Sequence, residues 1–200
     1  MKKRIYISAD YAEEKGDREV IDVLHSWGKD SFHAMSFTDT AEVVSGSVTE
    51  DEDCRACDLK KEFNRQINIS SVVLFIVGDK TAERCAGSFC QRLEKGANCP
   101  CTPYKQNSKG TKMCKWFSTS KAEGDDIGNI NKYTYLEHEF RQARSKDKEI
   151  IIIYNSLKKQ QGWLPDYMKN HQYIEIPFWK YDERGNKVGD YSNLKRLLGF

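Results

Sequence analysis

The chain has 200 residues, of which 38% are hydrophobic and 31% charged, with a formal net charge of +2. That length suits one domain with a substantial core and is short for two, so residues 1–200 are read as a single domain. The near-neutral balance gives no electrostatic reason to expect nucleic acid or an anionic membrane as partner. No apolar run approaches the ~20 residues needed to cross a bilayer. Met1-Lys2-Lys3-Arg4 leads straight into a strand-like run too short for a signal-peptide core, so a cytoplasmic location is expected. Seven cysteines, an odd number, then point to reduced thiols and not to a disulfide framework.

Arg4 to Ser8, β-branched and aromatic, reads as a first strand. Asp17 caps a helix whose apolar stripe is Val20, Leu24 and Trp27, closed by Gly28. His33 to Thr38 reads as a second strand, and residues 39 to 57 as a polar, acidic loop around Ser45-Gly46-Ser47. Asp58 opens a helix with Leu59, Phe63 and Ile67 on one face. Ser71 to Val77 is apolar on both faces, as a central strand of a covered parallel sheet should be, and Gly78-Asp79-Lys80 stops it. A polar, cysteine-bearing segment occupies residues 82–131, which is long for a loop inside a compact domain and reads as a functional insertion or a small subdomain.

Thr134-Tyr135-Leu136-Glu137 has the form of a capping box, with Thr134 as cap and Glu137 reaching back. The helix it opens buries Leu136, Phe140 and Ala143, and Glu137 pairs with Arg141 on the wet side. Glu149 to Tyr154, with Ile150 to Ile153 at its centre, is a buried strand. Tyr173 to Ile176 is a fifth strand and Asn193 to Leu198 a closing helix, while Phe178, Trp179 and Tyr181 are expected to pack an edge of the sheet. Strands and helices alternate, which predicts an α/β fold with a doubly wound parallel sheet of about five strands.

Open parallel sheets place ligands beyond the carboxyl ends of their strands. That rule nominates Ser8-Ala9-Asp10-Tyr11, the stretch from Asp39 to Ser47, Gly78 to Thr81, and Asn155-Ser156. Ser8 to Tyr11 could bind a sugar or a base, or could equally be turn chemistry that starts the next helix. Glu139 lies one turn inside the capping box beside the core stripe, with Tyr135 one turn earlier on the same side. It reads either as a carboxylate that meets a ligand or as a half-exposed glutamate favoured by the positive helix end. His138 points to another face of that helix, so a catalytic pair with Glu139 is not expected.

Three stretches together resemble the TIR subunit of bacterial Thoeris antiphage systems, with the flavodoxin-like/TIR-like fold that this implies. They are Arg4-Ile5-Tyr6-Ile7-Ser8-Ala9-Asp10-Tyr11, the run from Leu59 to Thr81, and Tyr135-Leu136-Glu137-His138-Glu139-Phe140 followed by Glu149 and the isoleucine strand. The likeness spans about residues 3–83 and 132–156. It implies that Glu139 stands where TIR nucleosidases carry their catalytic glutamate, and Tyr135 where a tryptophan is usual. Ser8, Ala9, Asp10, Tyr11, Asp39, Ser47 and Tyr135 would then contact substrate. Two features depart from the pattern: the 82–131 insertion, and the acidic run Glu50-Asp51-Glu52-Asp53.

By this resemblance the substrate is NAD+, cleaved between nicotinamide and ribose with no further cofactor. Water as acceptor gives ADP-ribose; a hydroxyl of the bound molecule gives a cyclic isomer, in Thoeris-like systems a signal to a downstream effector. A TIR-like interaction module that self-associates without catalysis is the alternative. A phosphoacceptor receiver domain fits less well, since the acid pair expected after the first strand is missing. Cys85, Cys90, Cys99, Cys101 and Cys114 lie in the insertion with four, eight, one and twelve residues between them. This spacing lacks the paired knuckles of common zinc modules, and Cys54-x-x-Cys57 stands alone, so ordinary thiols are expected, with a structural zinc as the alternative.

Overall fold

The computed structural model describes residues 3–11, 16–29, 35–39, 52–86, 104–106, 112–114 and 133–199. Five strands form one sheet: β1 (Lys3–Ser8), β2 (Met35–Asp39), β3 (Val72–Val77), β6 (Glu149–Tyr154) and β7 (Ile174–Pro177). Their order is β2-β1-β3-β6-β7, and every neighbouring pair is parallel. With its flanking helices this is the α/β doubly wound architecture of the flavodoxin-like/TIR-like class. Two short antiparallel pairs are separate from it, β4 (Tyr104–Gln106) with β5 (Lys112–Cys114) and β8 (Trp179–Tyr181) with β9 (Lys187–Gly189). The helices are α1 (Arg18–Lys29), α2 (Glu52–Ile69), α3 (Tyr135–Ser145), the single turn α4 (Asp166–Lys169) and α5 (Tyr191–Leu197).

The chain divides into two compact units, one of Met1–Thr40, Ile69–Arg84 and Lys148–Phe200, the other of Ala41–Asn68 and Cys85–Asp147. The first unit holds the sheet. One face of its strands presents Ile5, Ile7, Leu74, Ile76, Ile151 and Ile153, packed in a single core with Val20 and Leu24 of α1 and with Leu194 and Leu198 at the far end of the chain. The alternate residues Tyr6, Val73, Phe75, Ile150 and Ile152 are equally withdrawn from water. Every residue of β3 is buried, as its unbroken apolar run predicts for a central strand.

Several boundaries move. Gly28 lies inside the last turn of α1 and not after it; a Cβ there would fall 2.9 Å from the Phe37 ring, so the glycine permits close helix–strand approach. α2 begins at Glu52 and not Asp58, taking in part of the expected loop and the Cys54/Cys57 pair. Residues 52–57 hold no apolar stripe, so periodicity alone places the helix start later. Within the expected 82–131 insertion the described residues include the β4–β5 pair. The tail does more than line an edge. Phe178 and Trp179 enter the core, and Trp27 stands against both Phe178 (5.5 Å between centroids) and Tyr191 (4.9 Å).

Candidate functional site

In the first unit the strand order reverses at β1 and β3: the chain runs outward to β2 on one side and to β6 and β7 on the other. The carboxyl ends of β1 and β3 therefore flank the crevice where such sheets take ligands. Ser8 ends β1 in register with Phe75, and both Ser8 and Ala9 are buried. Asp10 follows, half-buried and ion-paired to Arg84. Tyr11 packs half-buried against the core of the unit. Across from them the Gly78 amide donates to Thr81 Oγ1 at 2.8 Å, closing the turn after β3. Asp39 is the last residue of β2 and lies beside Ile7. Ser47 lies outside the described residues.

A carboxylate the sequence assigned only to capping lies buried among these strand ends. Asp17 is 3% exposed, and its amide donates to Asp10 O at 2.8 Å. Its Oδ1 accepts from Asn155 Nδ2 at 2.9 Å, and Asn155 Oδ1 accepts from the indole Nε1 of Trp179 at 2.7 Å. Asn155 is itself held by its amide on Val77 O at 2.9 Å. The Asp17 carboxyl is pushed up to about 6, chiefly by burial; the Asn155 hydrogen bond opposes this, the charges of Asp10 and Asp79 add to it, and Arg84 partly offsets them. Gly78 leaves the room this carboxyl occupies, because a Cβ there would fall 2.4 Å from Asp17 Oδ1. The strand-end rule reached Asn155; Trp179 and the interior position of Asp17 carried no local signal.

The second unit contains Glu139. Thr134 caps α3 as expected, its Oγ1 accepting from the Glu137 amide at 3.1 Å. Glu137 does not reach back; it takes Arg141 instead, at 2.9 Å. Glu139 is 1% exposed, which overturns the half-exposed reading of this glutamate. Tyr135, one turn earlier, is half-buried with its ring edge-on to Phe63 of α2 at 5.6 Å.

Polar groups are buried around this helix pair. Gln142 Nε2 donates to Asn68 Oδ1 at 2.8 Å, and Lys60 Nζ donates to Tyr133 O. His138 is fully buried, with Nε2 at 3.2 Å from Lys60 O, so that nitrogen carries the proton. Burial first, and then the charge of Lys60, push His138 down to about 3. It is therefore a neutral structural donor near pH 7.

The sequence matches no protein-family model and no curated protein. Among solved structures the chain is similar to a prokaryotic SEFIR domain, at 16% identity and a TM-score of 0.46 over 99% of each chain. It is also similar to a 2-deoxyribosyltransferase from Bacillus psychrosaccharolyticus, at 12% identity and a TM-score of 0.41, covering 86% of this chain and 97% of that one. Neither likeness reaches a TM-score of 0.5, neither structure is a Thoeris protein, and neither bears on function. The fold class stands on the strand order itself. Among the described residues no helix is long and apolar enough to cross a membrane.

Proposed function

We propose that this chain is a TIR-like enzyme that cleaves the nicotinamide–ribose bond of NAD+, with Glu139 as its catalytic carboxylate. The observation that carries this reading is the burial of Glu139 at 1% exposure, one turn after Tyr135. A solvent-exposed glutamate on a helix has no need of a reason, whereas a buried one is costly to keep and is more often functional. Nicotinamide in NAD+ is already cationic and leaves without protonation, so the chemistry asks for a negative charge held near the developing oxocarbenium-like ribose. In a site shielded from water that charge acts at low effective dielectric and needs no reorganisation during the reaction.

Tyr135 is suited to stack on the leaving nicotinamide or on the adenine. Ser8, Ala9, Asp10, Tyr11 and Asp39 are proposed substrate contacts, in keeping with their places at or just beyond the ends of β1 and β2. Capture of the ribosyl cation by a hydroxyl of the same molecule would give a cyclic ADP-ribose isomer. Such a product would act inside the cell as an antiphage signal to a separate effector. Capture by water would give ADP-ribose.

The test is incubation of concentrated wild-type protein and Glu139→Gln with NAD+, with products resolved by mass spectrometry. Nicotinamide is expected from wild type, with the variant slower by a factor on the order of 1,000, as for loss of a principal electrostatic group. Equal rates would remove Glu139 from the chemistry. No release from wild type, together with concentration-dependent assembly, would make the chain a non-catalytic interaction module.

A further inference from the structure

We infer that Lys60 is a positioning residue for Glu139 and Tyr135, holding the start of α3 in place and supplying a buried charge of opposite sign to the Glu139 carboxylate. This inference deepens the NAD+ reading and rests on it. Lys60 is 0% exposed. An ammonium in that position is expensive unless opposite charge and acceptors surround it. Its Nζ donates to the carbonyl of Tyr133, the residue just before the Thr134 cap. It also lies 5.8 Å from the centre of the Tyr135 ring. Glu139 is four residues beyond Tyr135 and so stands next on the same face of α3.

The backbone of the same lysine takes part as well, since Lys60 O receives His138 Nε2 at 3.2 Å. One residue thus fixes α3 at its entry, through Tyr133, and again in its second turn, through His138. Among the described residues of this unit the buried charged side chains are Lys60 and Glu139, of opposite sign. The other titratable groups nearby on α3 are neutral His138, half-buried Tyr135, and Glu137, whose charge is taken by Arg141. Lys60 is thus the buried cation among the described residues of this unit.

The test has two arms. In the first, kcat and KM for NAD+ are measured across the pH range for wild type and Lys60→Met, which keeps the length of the side chain and removes its charge. We expect KM to change little and kcat to fall on the order of 100-fold, as for misplacement of a reacting group. The acid limb of the profile should move to higher pH, because a buried cation beside α3 is gone. A uniform loss at all pH values with the limb unmoved, or no loss, would overturn the inference.

The second arm uses no substrate. Urea unfolding is compared for Lys60→Met, Glu139→Gln and the double variant. The double variant should unfold at higher urea than Lys60→Met alone, because removing both charges leaves neither uncompensated. Simple additivity would overturn the pairing. This arm also decides the matter if Lys60→Met folds poorly, since Glu139→Gln should then restore a cooperative transition. A wild type that leaves NAD+ intact would refute the proposed function, while the unfolding cycle would still judge Lys60.

Discussion

Asp17 carries a carboxyl that its surroundings resist ionising, at about 6 against the ordinary 3.8. The folded state therefore binds this proton more tightly than the unfolded chain does. Ionisation costs the fold nothing below the unfolded value, and the cost is fully present above the folded one. The difference amounts to about 3 kcal/mol. Stability from this group should thus fall as pH rises from about 4 to about 6. Asp17→Asn should be more stable than wild type near neutral pH and should lose that slope, as read from urea midpoints across the range. Matching slopes in the two proteins would exclude Asp17 as their source.

The sequence named Asp17 only as a helix cap because its partner, Asn155, is 138 residues away, and no local pattern encodes such a meeting. Glu139 was legible from its place one turn inside a capping box, but its burial was not. The apolar stripe of Leu136, Phe140 and Ala143 put it beside the core without saying how far the covering extends. Lys60 left a fainter trace. It shares the spacing of Phe63 and Ile67, a lysine on an apolar stripe, which a reading for hydrophobic residues alone passes over.

At the scale of elements, the ends matter more than the middles. Thr134 satisfies one of the open amides of α3, at 3.1 Å. Thr134→Ala should cost about 1 kcal/mol, measurable in urea, with Thr134→Ser close to wild type. Gly78→Ala should cost more. Its methyl would collide with Asp17 Oδ1, a buried atom held by Asn155, and not with the free end of a mobile side chain. A loss of about 1–3 kcal/mol is expected from such overpacking. Asp17→Asn would not relieve it, since the oxygen stays in place. Strands β3 and β6 were plain in the sequence because buried parallel strands are written as continuous apolar runs. The first turns of α2 were not, because a helix start made of acids and cysteines shows no period of its own.

For the molecule as a whole, alternation of strands and helices was enough to expect a parallel sheet, but the strand order is a property of long-range pairing. β3 lies between β1 and β6, in register from Val72 with Glu149 to Val77 with Tyr154. A chain cut after Asp147 would lose β6 and β7 and leave β3 as an edge. We expect it to lack cooperative unfolding and to bind a dye specific for exposed apolar surface; a cooperative melt would show that β1, β2 and β3 suffice. The same arrangement has a consequence for the newborn protein. As the ribosome releases the chain from its amino end, an all-apolar β3 emerges some 70 residues before the strand that will cover its flank. At ~5–20 residues per second that flank stays open for several seconds, long enough for a chaperone to find it before a second nascent chain does.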